Sequence, residues 1–345
     1  MFNFIKNLRQ PEKRFGTGGL NDFFDERDFK FEEVFLAPPL IEWREKTPDQ
    51  WRKFPIFDQA GSGSCVGQTV AKLLGIENFL EEGKFIHFSA RDIYSRGFQP
   101  SGGMYYRDGI NIGYKFGATI EQLMPSQKLN EEIMRKADDR TVLTQQIALV
   151  GKAGNYFALP FNFDTIASVI SQGKAVALGT KFDSGMWRTG EVKILPGGQY
   201  GHAITVVDYC LWKGKKALVF DNSWDYSWGF NGQGVIIEDY SNGIVAAWYY
   251  ASLPNNWRDT QPNSISKPKY QFNEDIHIGM KNIEVSKLQE CLKYDGEFPV
   301  LVPITGWFGG ITLQSVIDFQ KKYRIEPTRG YVGKLTRQQL NKLFS

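Results

Sequence analysis

The apolar residues of this chain change their period part-way along it, and that change limits the folds available. From Cys65 to Leu80, Ala90 to Gly97 and Tyr106 to Phe116 they recur at helical spacing. Between residues 174 and 240 the runs "KAVALGT", "HAITVVDYCLW", "KALVFDNSW" and "GQGVIIEDY" are instead short, β-rich and bounded by turn residues. Helices gathered first and strands gathered later predict an α+β region with two facing parts over residues 37–253. Residues 1–36 are polar and charged, end in "DERDFKFEEVFL", and read as an N-terminal arm. Residues 254–274, rich in Pro, Asn and Ser, read as a linker, which leaves 275–345 as a small second domain.

Composition removes several classes of function. A formal net charge of +3 comes from scattered Lys and Arg, so no nucleic-acid stripe is expected. No window approaches 18 uninterrupted apolar residues, so no membrane span is expected, and the first residues lack the apolar stretch of a standard secretory signal. Cys65, Cys210 and Cys291 are odd in number and far apart, which speaks against a disulfide framework or a zinc site; no metal or cofactor is expected.

The second domain carries a short repeat. "GWFGGIT" at 306–312 and "GYVGKLT" at 330–336 share Gly-aromatic-apolar-Gly-x-x-Thr, 24 residues apart. Glycines suit a tight turn, Thr312 and Thr336 are candidate helix caps, and "TRQQ" has the form of a capping box. Val316, Phe319, Gln320 and Tyr323 fall at helical spacing, so two or three short packed helices are expected. On these residues, with "VSKLQECLKYDG", the region resembles the three-helix peptidoglycan-binding domain of cell-wall hydrolases. The resemblance implies peptidoglycan as a partner.

Cys65 stands between the glycine-rich "FDQAGSGS" and a helix carrying Val66, Val70, Leu73, Leu74 and Leu80 on one side, with Ser62 or Ser64 as candidate cap. A thiol in a first helical turn feels unpaired N–H groups, which favour the thiolate. A buried small hydrophobe is the competing reading, and it is the one given to Cys210 and Cys291. His202, at the mouth of a strand, follows 137 residues later, and Asn222 closes the next. Cysteine, histidine and asparagine in that order and at that separation form a catalytic arrangement. Asp208 is a rival partner for His202, but six strand residues put it roughly 20 Å away.

The segments "LIEWREKTPDQWRKFPIFDQAGSGSC", "GHAITVVDY", "NSWDYSWGFNGQG" and "SNGIVAAWYYASLP" resemble those of papain-like cysteine peptidases. The resemblance implies the papain-like two-subdomain fold, with a helical left part and a β-rich right part, plus the small all-α C-terminal domain. It implies Cys65 as nucleophile, His202 as its proton partner, Asn222 as orienter of the imidazole, Gln59 as oxyanion donor and Trp224 as a shield over the Asn222–His202 bond. Gly102, Gly103, Gly201 and Trp224 would line the substrate cleft.

Two departures from the family stand out. Val66 replaces the usual Trp after the nucleophile, and Ser62 replaces a disulfide cysteine. Residues 1–36 are too short for the family's usual inhibitory propeptide and lack its helical signature, so inhibition by a large prodomain is not expected. The implied function is a cysteine endopeptidase acting on a peptide or protein substrate at the bacterial wall, of phage or bacterial origin. The alternatives are a papain-fold protein that binds peptides or wall without turnover, and an acyl-transferring transpeptidase.

Overall fold

The computed structural model describes residues 16–22, 41–198, 200–250, 267–298 and 304–345. Most of the N-terminal arm, and the linker up to residue 266, therefore lie outside the described residues. The chain divides into two units, the first ending at Pro254 and the second beginning at Asn255.

In the first unit the early elements are helical. Helix α1 (Cys65–Glu82) begins at Ser64 and ends at Gly83, whose φ of 70° supplies the left-handed residue that stops a helix. It is followed by α2 (Ala90–Gly97), the short strand β2 (Met104–Tyr105), α3 (Tyr106–Lys115), α4 (Glu131–Arg135) and α5 (Val142–Val150). Ser89 caps α2 through the Asp92 N–H, and Thr141 forms a capping box with Thr144. The expected one-sided stripe of α1 is corrected: Cys65 through Asn78 is buried all round, and Leu80 lies at the exposed end. A helix buried on every side is packed among other elements on all its faces.

The later elements build a seven-stranded sheet. Its members are β3 (Tyr156–Ala158), β4 (Val176–Phe182), β5 (Glu191–Val192), β6 (Tyr200–Trp212), β7 (Lys215–Asp221), β8 (Gln233–Ile237) and β9 (Ile244–Tyr250), in the order β3-β9-β4-β6-β7-β8-β5. All pairs are antiparallel except β5 with β8. Helix α6 (Phe163–Ser171) supplies Phe163, Ile166, Val169 and Ile170 to the core, which runs through Leu178, Ile204, Phe220 and Trp187 to Trp224 and Trp228. Central β6 pairs β4 on one side and β7 on the other, so His202 on β6 and the residue after β7, Asn222, are carried by adjacent strands.

Among the described residues, two ion pairs join α1 to the sheet part, Lys174–Glu77 at 2.7 Å and a fully buried one. Lys72, seven residues after Cys65 and so on the same side of α1, meets Asp221 at 2.9 Å with both side chains buried. Asp221 also accepts from Gln233 Nε2 at 2.8 Å.

The second unit contains α7 (Ile283–Asp295), α8 (Gly310–Lys322) and α9 (Lys334–Phe344). Tyr270 N–H bonds Phe344 O and Phe272 is buried, so ordered packing starts inside the stretch read as linker. Thr312 and Thr336 are not N-caps; the caps are Gly309 and Gly333, without side-chain bonds. The threonines sit in the first turn, where Gln289 Nε2 reaches Thr312 Oγ1 and Trp307 O, and Gln320 Nε2 reaches Thr336 Oγ1 and Tyr331 O. Gln289 Oε1 accepts from the Thr305 and Gly306 N–H groups, and Gln320 Oε1 from that of Gly330. No helix among the described residues is long and apolar enough to cross a membrane.

Candidate active site

Cys65 opens α1 because the "GSGS" turn before it cannot continue a helix backwards. Ser64 is the N-cap residue, but its hydroxyl bonds Ser62 Oγ at 2.8 Å and accepts from Gln68 Nε2 at 3.4 Å rather than from a helix backbone N–H, which corrects the expected side-chain cap. The backbone N–H groups of Ala203, Val66, Gly18 and Cys65 itself are directed at the sulfur. Ala203 follows His202, so β6 runs past the thiol at the residue next to the imidazole.

His202 is fully buried, and its Nε2 lies 2.9 Å from Asn222 Oδ1, which also accepts the Ser223 N–H. Trp224 stacks on the imidazole with ring centroids 4.7 Å apart, and Trp187 meets it edge-on at 5.3 Å. These rings fix the plane of the imidazole and keep the Asn222 bond dry. Nδ1, buried, has no hydrogen-bond partner among the described residues.

Gln59 is buried and fixed at both ends. Its Oε1 accepts from Ser223 Oγ, and its Nε2 donates to Ser62 O at 2.7 Å. The four residues of the expected catalytic set therefore converge from α1, the loop before it, β6 and the end of β7. Gly102, Gly103 and Gly201 line one cavity of about 610 Å³ together with Glu131, Lys181 and Tyr200, whereas Trp224, expected to line the cleft, is buried against the imidazole and is not part of that lining.

Electrostatics correct one expectation. Burial pushes the Cys65 thiol up to about 11, outweighing the N–H groups that favour the thiolate. Burial likewise pulls His202 down to about 4 despite the Asn222 bond. In this arrangement the pair is thiol and neutral imidazole.

The burial has a visible source. Residues 16–22, the described part of the arm, lie in the groove. Strand β1 (Gly19–Leu20) pairs in parallel with β2, and the Gly18 N–H bonds Gly201 O at 3.1 Å. Met104 N–H bonds Gly18 O at 2.8 Å, and Trp224 Nε1 donates to Gly16 O at 2.9 Å.

A clasp on one wall was not visible in the sequence. Glu131 accepts from Gly63 N–H at 2.7 Å, Tyr94 OH at 2.6 Å and Arg135 Nε at 2.7 Å, and Tyr94 OH accepts from Gly103 N–H at 3.0 Å. One carboxylate thus holds both the turn before Cys65 and the Gly102–Gly103 edge. Tyr106 closes the floor, its OH 3.2 Å from His202 O.

A family model of papain family cysteine proteases matches residues 37–251. The chain belongs to the papain family. A second model, of a peptidoglycan binding domain, matches residues 281–340. Among papain-family relatives, chymopapain of Carica papaya is 25% identical over 242 residues, 66% of this chain and 64% of that protein, so the chain spans a little under two thirds of its length. Xylellain, a cysteine protease from Xylella fastidiosa, matches with a TM-score of 0.56 at 21% identity, over 72% of this chain and 99% of the other. The Amb a 11 cysteine protease, a ragweed pollen allergen in its proform, gives 0.50 at 16% identity, over 64% and 69%. These structural likenesses establish the papain fold, α+β in this chain; the unit matched by the second model is helical.

Proposed function

We propose that this papain-family chain is a cysteine endopeptidase that hydrolyses peptide bonds at the bacterial cell wall. The observation that carries the reading is the His202 Nε2–Asn222 Oδ1 bond of 2.9 Å, which leaves the buried Nδ1 as the ring nitrogen with no hydrogen-bond partner among the described residues. In this reading Cys65 passes its proton to His202 Nδ1 and its sulfur bonds the scissile carbonyl carbon. Gln59 Nε2, turning from Ser62 O, and the Cys65 N–H stabilise the oxyanion. His202 then gives the proton to the leaving amine, and water resolves the acyl-enzyme. The C-terminal unit holds the enzyme to peptidoglycan and raises the local concentration of substrate there. A phage or bacterial lytic or wall-remodelling role fits this pairing.

The test is incubation of the full chain, separately, with casein and with purified peptidoglycan, followed by mass spectrometry of released fragments. New amino termini in either substrate, lost in Cys65→Ser, are expected. Binding without any cleavage, by the wild type and also by a Gly19→Val variant that crowds the segment in the groove against Tyr106, would favour the non-catalytic alternative, and joined rather than cut peptides would favour acyl transfer. Gln59→Ala should lower kcat by about 10²-fold with little change in KM, the usual pattern for losing an oxyanion donor.

A further inference from the structure

The two turns of the second unit share a scaffold but not a charge. In the first, Gln289 Nε2 bonds Trp307 O and Thr312 Oγ1; in the second, Gln320 Nε2 bonds Tyr331 O and Thr336 Oγ1. Equivalent positions are 24 residues apart, so Arg329 answers to Thr305 and Lys334 to Gly310. The first turn is built without a cation at either place. Making the turn therefore does not explain Arg329 or Lys334.

Both line a cavity of about 350 Å³, together with Ile325, Pro327, Tyr331 and Leu335. That volume falls at the small end of the roughly 300–1,000 Å³ usual for small-ligand sites. Leu335 is 57% exposed and Tyr331 46%, so apolar walls stand open to solvent. The Tyr331 ring is held in place all the same. Its OH donates to Asp275 Oδ2 at 2.6 Å, and His277 lies parallel to it with ring centroids 6.3 Å apart. A ring already fixed loses little freedom when a ligand packs on it.

Glu326 also lines the cavity, and its carboxylate accepts the Thr328 N–H at 3.3 Å. Arg329 and Lys334 against this one carboxylate leave the lining with a net positive charge. No side-chain hydrogen bond or ion pair of Arg329 or Lys334 occurs among the described residues. Arg337 and Lys322, by contrast, are paired with Asp275 at 2.7 Å and Asp295 at 2.9 Å. An anion with a small apolar body matches such a lining. Arginine offers a carboxylate a planar fork of donors, and lysine a point charge beside it. Sugar hydroxyls would use neither charge.

We propose that this cavity binds the C-terminal carboxylate of a short wall peptide, Arg329 and Lys334 taking the carboxylate and Tyr331 and Leu335 the terminal apolar side chain. This rests on the reading of the unit as the part that holds peptidoglycan. It names which chemistry of that polymer, glycan or peptide, the second turn recognises.

The probe is acetyl-Lys-D-Ala-D-Ala, titrated into the isotope-labelled full chain bearing Cys65→Ser so that it is not cut, with binding followed by backbone amide NMR shifts. Signals of residues 329–336 should move and saturate. The C-terminal amide of the same peptide should bind on the order of tenfold more weakly, and so should the acid to Arg329→Gln/Lys334→Gln. Calorimetry of that double variant should show the second unit's transition unchanged, because neither side chain is tied to the fold. Trp307→Ala should leave the peptide affinity as it was. Equal binding of acid and amide overturns the proposal whether or not the double variant folds. So do shifts confined to other residues, or an unchanged affinity in a folded double variant. Inorganic phosphate displacing the peptide at equal concentration overturns the peptide assignment in favour of a general anion site. Co-sedimentation of the same protein with purified peptidoglycan separates the two readings. Wall binding without peptide binding refutes the cavity and keeps the wall reading, whereas peptide binding without wall binding upholds the cavity and refutes the wall reading.

Discussion

Replacing Lys72 with methionine keeps the length of the side chain and removes only its charge. Asp221 would then hold a buried carboxylate with Gln233 as its remaining close donor. The side chains are 3% and 0% exposed, so water cannot make up the loss. Stranding one charge of a buried pair typically costs about 3–5 kcal/mol. For a unit of this size each kcal/mol moves Tm by about 2–4 °C, so a fall of roughly 6–20 °C is expected. Asp221→Asn, which strands the ammonium instead, should cost a similar amount, and the double substitution Lys72→Met/Asp221→Asn should recover much of it because neither charge is left alone. Differential scanning calorimetry of the full chain, following the transition of the first unit, measures this. A single-variant shift under about 2 °C, or a double variant no better than the singles, would refute the electrostatic argument. Because the pair joins the Cys65 helix to the residue before Asn222, the singles should also lower kcat more than they raise KM.

Further outcomes follow from other contacts. Glu77, buried beside Lys174 at 2.7 Å, has its pKa raised to about 7 by burial. The native state therefore holds that proton more tightly than the unfolded chain, and stability should fall by on the order of 3 kcal/mol as pH rises from about 4.5 to about 7, then level off. Urea midpoints across that window should flatten in Glu77→Gln. Glu131→Ala leaves the Gly63 N–H and Tyr94 OH without their acceptor, so it should cost about 1–3 kcal/mol and raise KM as the Gly103 edge loosens; Glu131→Gln should do less. In the second unit Gln320→Ala should lower that unit's transition by about 2 kcal/mol. Trp307→Ala, at an exposed ring, should leave it unchanged while weakening co-sedimentation with purified peptidoglycan.

The parts of this fold that were legible share one property, that their signal is local. The periods of α1, α2 and α3 and the β-branched runs of β4, β6, β7 and β8 placed those elements to within two or three residues, and of the ordered Cys65, His202 and Asn222 the last two meet at 2.9 Å. What escaped depends on partners distant in sequence. Ser64 resembled a cap, but its hydroxyl is taken by Ser62. Thr312 and Thr336 resembled caps, but Gln289 and Gln320 from earlier helices use them one turn further in. Glu131 works 68 residues from Gly63, with no motif to mark it. Lys72 left a faint trace, a lone charge within the apolar run of α1. The segment at 16–22 left none, because it meets the groove through backbone N–H and C=O groups.

Gln289 and Gln320 have a consequence for how the C-terminal unit can diversify. Each amide ties a glycine turn to the helix after it from the inside, while Trp307 and Tyr331, at matching places in the two turns, stand 49% and 46% exposed. The two turns are not equivalent, because the Tyr331 hydroxyl also holds Asp275 at 2.6 Å while the Trp307 ring has no such tie among the described residues. The first turn can therefore change its outward ring and leave the framework intact, whereas the second gives up a scaffold bond when it does.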